Sequence, residues 1–63
     1  RERNILQAVR AGATTPTEVV AQVYTDVSPK AHAMAERAVI AHLEKLRDEG
    51  TVSLYENGNW APA

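Results

Sequence analysis

The chain has 63 residues, which is enough for one small domain, and it contains no cysteine that could form a disulfide bond or hold zinc as a thiolate. A chain of this length buries only about 60% of its unfolded surface, and we expect a free energy of unfolding of about 3–5 kcal/mol. Seven basic residues against eight acidic ones exclude the strong basic excess of a domain that binds mainly to phosphates. No apolar run reaches the roughly 18 residues of a membrane span, and no signal-peptide pattern is present, so no membrane partner is expected.

Two short helices are predicted in the first half of the chain. The first covers residues 1–11, and Gly12 stands where a helix end favours glycine. The second begins at Pro16, because Thr15 fits the N-cap position and Glu18, three residues later, completes a capping box. It continues to about residue 24. The residues expected to face the core from these helices are Ile5, Leu6, Val9, Val19, Val20, Val23 and Tyr24.

A third, longer helix is predicted from the cap signal Ser28-Pro29 to Gly50. We expect the Ser28 side chain to accept a hydrogen bond from the backbone N–H of Ala31. At about 100° per residue, the core-facing residues of this helix, with His32 at their edge, are Ala31, Ala35, Ala38, Val39, His42, Leu43 and Leu46. The residues expected on the opposite face are Ala33, Glu36, Arg37, Ile40, Glu44 and Arg47.

A β-hairpin is predicted after the third helix. Val52 and Leu54 alternate with polar neighbours as in a strand, and Asn57-Gly58 predicts a tight type I′ turn. Trp60 is expected to close the core beneath the hairpin, with stacking on a nucleic acid base as the weaker alternative for Trp60 and Tyr55. The predicted fold is therefore mainly α with a small β-hairpin, a winged helix-turn-helix over residues 1–63.

The candidates for catalysis or metal binding do not combine into a site. His32 and His42 lie ten residues apart on one helix, about 15 Å along its axis, too far to share a zinc ion. His42 is expected instead to face the core with a hydrogen bond to backbone or to a neighbouring side chain. Asp26, Ser28 and His32 are close in sequence, but Ser28 is assigned to the helix cap and no oxyanion-hole or phosphate-loop motif is present. No catalytic, cofactor-binding or metal residue is predicted in this chain.

Binding surfaces remain as the functional candidates. Helix-turn-helix folds often read DNA, and the expected nucleic-acid contacts are Arg3, Arg10, Lys30 and Arg37. Glu36, Glu44 and Glu56 would face the same polyanion and oppose its binding. The alternative is a protein contact through Ala33, Arg37 and Ile40, because Ile40 is an apolar residue on the face that points away from the core. Dimerisation through the first or the third helix is a further alternative.

Three stretches of the chain carry a family resemblance. They are Thr15-x-x-Glu18-Val-Val-x-x-Val-Tyr24, the run His32-Ala-Met-Ala35 … His42-Leu43-Glu-Lys-Leu46-Arg-Asp-Glu-Gly50, and Trp60. With them, essentially the whole chain resembles the C-terminal winged-helix domain of metallo-β-lactamase-superfamily hydrolases, of the β-lactamase-like ribonuclease or glyoxalase II-like type.

The resemblance implies an accessory role. In that family the zinc-binding His-x-His-x-Asp-His motif belongs to the preceding α/β/β/α domain, and nothing in this chain matches it, so no catalytic or metal residue is carried over. We expect the chain to be a fragment of a longer cytoplasmic hydrolase, packing on a zinc-containing catalytic domain and bordering its substrate cleft. The alternative function is a nucleic-acid-binding winged helix, either a DNA reader or a segment that grips RNA for its parent enzyme.

Overall fold

The computed structural model describes all 63 residues. Helices α1 (Glu2–Arg10) and α2 (Pro16–Val23) precede a 3₁₀ turn (Pro29–Ala31), helix α3 (His32–Asp48) and strands β1 (Val52–Leu54) and β2 (Trp60–Pro62). The strands pair in antiparallel fashion, with Leu54 opposite Trp60. Three helices followed by a hairpin confirm the predicted fold class. None of the helices combines the length and the apolar character needed to cross a lipid bilayer.

One apolar core lies between the three helices and the hairpin, and it contains no polar or charged residue. Trp60 is 6% exposed and closes this core beneath the hairpin, as predicted. Its backbone N–H donates to the Thr14 carbonyl at 2.8 Å, which ties β2 to the connection between α1 and α2. The buried residues are Ile5, Ala8, Val9, Ala13, Val19, Val20, Ala35, Val39, Leu43, Leu46, Val52 and Trp60.

Helices α1 and α3 both end in a glycine with positive φ, as the sequence predicted. Gly12 has φ 113° and Gly50 has φ 80°. After α3, the N–H of Gly50 donates to the Arg47 carbonyl and the N–H of Thr51 donates to the Leu46 carbonyl. This pair of bonds is a Schellman motif, which satisfies the last carbonyls of the helix and turns the chain directly into the hairpin.

Replacing Gly50 with alanine is expected to destabilise the domain by about 1 kcal/mol, because an L-residue is strained at this φ. An added Cβ would meet no atom within 4 Å, so the cost comes from the backbone and not from a clash. Urea denaturation followed by circular dichroism would measure it. Gly50→Asn should cost less than Gly50→Ala, and equal midpoints for the two variants and the parent would contradict the assignment.

The start of α2 follows the predicted capping box with one difference. The Thr15 hydroxyl accepts a hydrogen bond from the Glu18 N–H at 3.2 Å, as expected. The Glu18 carboxylate does not return to Thr15 but accepts from the N–H and the hydroxyl of Thr14, at 2.7 and 2.9 Å. The backbone N–H of Thr14 is the main cause that lowers the pKa of Glu18 below its ordinary value of 4.5, with the Thr14 hydroxyl next.

Stability is therefore expected to fall as the pH is lowered below about 4.5, because the unfolded chain binds protons that the folded Glu18 carboxylate resists. Glu18→Gln keeps an acceptor oxygen for Thr14 but cannot titrate, so it should reduce this pH dependence. Urea midpoints between about pH 3 and 7 would measure the slope. Glu56→Gln is the matched control, since Glu56 accepts no hydrogen bond. An unchanged slope in Glu18→Gln would contradict the prediction.

The beginning and the buried side of α3 differ from the prediction. Residues 29–31 form a 3₁₀ turn, in which the Ser28 carbonyl accepts from the Ala31 N–H at 2.9 Å. Because that donor is occupied, the Ser28 side chain makes no cap bond, and the predicted side-chain cap is wrong. Ala38 is exposed, since the buried stripe of α3 is narrower than expected. The buried residues of α3 are Ala35, Val39, Leu43 and Leu46.

The predicted type I′ turn is also wrong. Such a turn requires positive φ at both central residues, and only Gly58 (φ 88°) has it. The Tyr55 carbonyl accepts from the Gly58 N–H at 2.9 Å, and the Tyr55 N–H donates to the Asn59 carbonyl at 2.9 Å. This pattern is a type I turn followed by a glycine bulge. The Asn57 side chain accepts from the Asn59 N–H at 3.0 Å, which holds Asn57 in its local turn.

Candidate interaction surface

The exposed side of α3 is mostly apolar in its first half and charged in its second half. In its first half it is apolar except for one arginine, and Met34 and Ile40 are 75% and 39% exposed. From Glu44 to Glu49 every exposed side chain is charged. We name the apolar part the α3 face, and it consists of Ala33, Met34, Arg37, Ile40 and Ala41.

Helical spacing places these five residues together, because they recur every three or four positions on the side opposite the buried stripe. The α3 face includes the predicted interaction residues Ala33, Arg37 and Ile40, all of which are exposed. Met34 was missed by the sequence reading, although its position three residues before Arg37 and seven before Ala41 could have assigned it to the same side. Ala38, wrongly assigned to the core, lies beside this face.

The α3 face carries no negative charge of its own. Arg37 forms no ion pair. Glu36, predicted on the exposed side, is half-buried, and its carboxylate accepts a hydrogen bond from the Thr17 hydroxyl at 3.2 Å. This bond turns Glu36 toward α2 and helps to join α2 to α3. The charge that remains on the α3 face is the guanidinium of Arg37.

The seven basic side chains divide into engaged and free groups. The Arg1 guanidinium lies 4.2 Å from the ring centroid of Tyr24, and Lys45 Nζ lies 3.2 Å from the Glu2 carboxylate. Arg47 is 3.8 Å from the Asp48 carboxylate. The four that form no ion pair and no cation–π contact are the predicted nucleic-acid contacts, Arg3, Arg10, Lys30 and Arg37.

The structure does not bring these four free bases together. Arg3 and Arg10 border a groove of about 500 Å³ between α1 and Leu46, in the second half of α3. Lys30 precedes α3, and Arg37 lies in its first half, about 13 Å along the helix axis from Leu46. The domain therefore has two separate pairs of cations, whereas a nucleic-acid-binding domain typically has a single basic stripe.

The two histidines have separate structural partners. His42 Nδ1 lies 3.4 Å from the Glu2 carboxylate, which confirms a hydrogen bond to a neighbouring side chain, but His42 is 36% exposed and does not face the core. Hydrogen bonds from Lys45 and then His42 lower the pKa of Glu2. His32 Nε2 lies 3.3 Å from the Val27 carbonyl. No group of three His, Asp or Glu side chains is placed to hold a metal ion.

The hairpin is the wing of this fold, and its exposed side chains are uncharged or acidic where a DNA-binding wing would carry Lys or Arg. Leu54 and Tyr55 are exposed, Glu56 is the charged residue of the loop, and Lys and Arg are absent after Arg47. Trp60 is buried, with the Arg47 guanidinium 5.9 Å from its ring, so it is not available to stack on a base. The wing therefore offers no cation to a phosphate backbone.

Residues 15–60 match the family model described as beta-lactamase associated winged helix domain. The match runs from the N-cap of α2 to the first residue of β2 and covers more than two thirds of the chain. The chain belongs to this family. No curated protein and no solved structure matches it.

The match confirms the predicted resemblance at the level of a winged helix domain associated with beta-lactamase-type proteins. The whole α3 face of this winged helix domain lies within the matched range, as do Lys30 and Trp60. Helix α1 with Arg3 and Arg10 precedes the matched range, although it packs in the same core. The α3 face therefore lies inside the matched range, and the pair of arginines on α1 lies outside it.

Proposed function

We propose that this winged helix domain is an accessory module of a cytoplasmic, zinc-dependent hydrolase of the metallo-β-lactamase fold. It packs on the catalytic domain, borders the substrate cleft and supplies no catalytic residue itself. The family match supports a partner of beta-lactamase type. Zinc and its ligands belong to the catalytic domain in this proposal, since this chain offers no group of three side chains that could hold the ion.

The apolar α3 face is the observation that carries this proposal. Met34 and Ile40 are large apolar side chains left in water on one side of a helix. Covering them by a partner would contribute on the order of 2–3 kcal/mol, from the apolar area removed from water. Their clustering on one side of a helix supports a protein contact made through Ala33, Arg37 and Ile40.

Hydrolysis assays test the proposal. The 63-residue chain, with and without added zinc, is expected to show no turnover of RNA, ester or thioester substrates, whereas the longer protein that contains it should hydrolyse one of them. Zinc-dependent turnover by the chain alone would contradict the accessory role. Imaging of the tagged longer protein tests the cytoplasmic location.

Nucleic-acid binding is the second candidate function, and the four free bases Arg3, Arg10, Lys30 and Arg37 are the observation that favours it. Binding to labelled single-stranded RNA and duplex DNA at about 50 and 200 mM salt tests it. A docking module should bind neither at either salt concentration. A true binder should lose affinity steeply with salt, and Arg10→Glu or Arg37→Glu should weaken binding and reduce the salt slope.

A further inference from the structure

We infer that the catalytic domain of the same polypeptide covers the α3 face, and that it does so with an apolar surface that places a carboxylate against Arg37. This inference rests on the proposed function. It goes further on two points. It states which side of the winged helix domain is covered, and it states the chemistry of the surface that covers it.

Exposed apolar side chains are concentrated on the α3 face. On α1 the exposed positions around Gln7 are polar, and on α2 Thr17 and Gln22 are exposed while the valines are buried or half-buried. The large apolar side chains that remain exposed elsewhere are Leu54 and Tyr55 on the wing. The helical surfaces of the domain therefore offer one apolar side to a partner, and it is the first half of α3.

The side chains of the α3 face suit close packing against another protein. Ala33 and Ala41 are small, so a partner helix or loop can approach the α3 backbone closely. Met34, at the edge of this face, is a long, unbranched side chain that adapts to an irregular apolar pocket. A phosphate backbone makes no use of such groups, because its affinity comes from several cations and this face has one.

The free cations at the α3 face indicate that the partner surface carries a carboxylate. Arg37 is free of ion pairs, and Lys30 adds a second free cation just before the helix. The nearest acid, Glu36, is turned toward Thr17. Covering Arg37 with a purely apolar surface would leave a guanidinium without hydrogen-bond acceptors, which is costly. A carboxylate opposite Arg37 removes that cost through charge-assisted hydrogen bonds.

The small size of the α3 face favours a partner on the same polypeptide. A stable complex of separate proteins buries about 800 Å² on each partner, and five side chains of which two are alanine offer less than that. A covalently linked domain is present at an effective concentration in the millimolar range, so a weak contact is sufficient. A second copy of the chain has no such advantage.

Oxidation of Met34 in the longer protein tests the inference directly, because Met34 is the single methionine of this chain and is 75% exposed. Peroxide treatment followed by peptide mass spectrometry compares the native protein with the same protein unfolded in urea. If the α3 face is covered, Met34 should oxidise about tenfold more slowly in the native protein. Oxidation at the unfolded rate would overturn the inference.

Two variants of the longer protein test the role of charge. Arg37→Glu should return Met34 oxidation toward the unfolded rate, because it sets two carboxylates against each other. Arg3→Glu is the matched control, an exposed arginine without an ion pair on α1, and should leave Met34 protected. Equal protection in the two variants would overturn the carboxylate assignment.

Failure of the inference can be told apart from failure of the proposed function. If small-angle X-ray scattering shows the intact longer protein as one compact body while Met34 oxidises freely, the assigned face is wrong and the accessory role stands. If the two domains of the intact protein scatter as independent bodies, both are wrong. Protection of Met34 that is lost on dilution would assign the face to a second copy and overturn the inference.

Discussion

Replacing Val39 with aspartate is expected to unfold the domain, whereas the same replacement at the adjacent Ile40 is expected to leave it folded. Val39 is fully buried in the stripe of α3 that packs on the other helices, and Ile40 is on the α3 face. The core contains no polar or charged side chain, so an aspartate at position 39 would have no partner for its carboxylate. The cost, more than about 4 kcal/mol, equals or exceeds the stability expected of so small a domain.

The two variants form a matched pair, because they place the same residue at neighbouring positions of one helix. Far-UV circular dichroism and urea denaturation should show an unfolded Val39→Asp variant and an Ile40→Asp variant within about 1 kcal/mol of the parent. In the longer protein, Ile40→Asp should instead weaken contact with the catalytic domain. A cooperatively folded Val39→Asp variant with an unchanged midpoint would contradict the core described above.

Replacing Trp60 with alanine is the second change expected to unfold most of the population. Loss of a buried tryptophan costs about 3–5 kcal/mol, similar to the whole stability expected of this chain. Trp60 is nearly buried at the junction of β2 with the helices, and its ring is also the surface over which Arg47 lies. Its removal leaves a cavity beneath the hairpin that the short strands cannot fill.

Thermal denaturation followed by circular dichroism measures this effect, since the variant loses the single tryptophan needed for fluorescence. Trp60→Phe should restore much of the lost stability because it refills part of the cavity. Tyr55→Ala is the control on the same hairpin: Tyr55 is 56% exposed, so its removal should change stability by no more than about 0.5 kcal/mol. Equal effects of Trp60→Ala and Tyr55→Ala would show that the hairpin is not anchored through Trp60.

The ends of α1 and α3 and the start of α2 were predictable because local chemistry sets them. Thr15, Pro16 and Glu18 specify the start of α2 within one turn of chain, and Gly12 and Gly50 end the two longer apolar patterns by adopting positive φ. The order of three helices and a hairpin follows from these signals. The family resemblance included Thr15, Glu18 and Gly50 among its residues, and the match over residues 15–60 confirms it as a winged helix domain associated with beta-lactamase-type proteins.

Details that depend on competition between local groups were not predictable to the same degree. Ser28 was expected to cap α3 with its side chain, but a 3₁₀ turn uses its backbone carbonyl. Asn57-Gly58 favours a type I′ turn, but the hydrogen bonds of the hairpin select a type I turn with a glycine bulge. In each case two local arrangements use nearly the same backbone donors, so residue type and spacing alone do not choose between them.

The sequence by itself determined the fold class, the ends of α1 and α3, the start of α2 and the absence of a basic stripe, since these follow from residue type, spacing and total charge. Only the tertiary structure decided which charges are free and that Met34 and Ala38 lie on the exposed side of α3. Glu2 engages Lys45 and His42, Arg1 covers Tyr24, and these partners are far apart in the chain. Such contacts exist only after the helices have packed, because packing alone brings residues of distant sequence position within reach of each other. The exposure of Met34 at the edge of the α3 face is a result of the same packing.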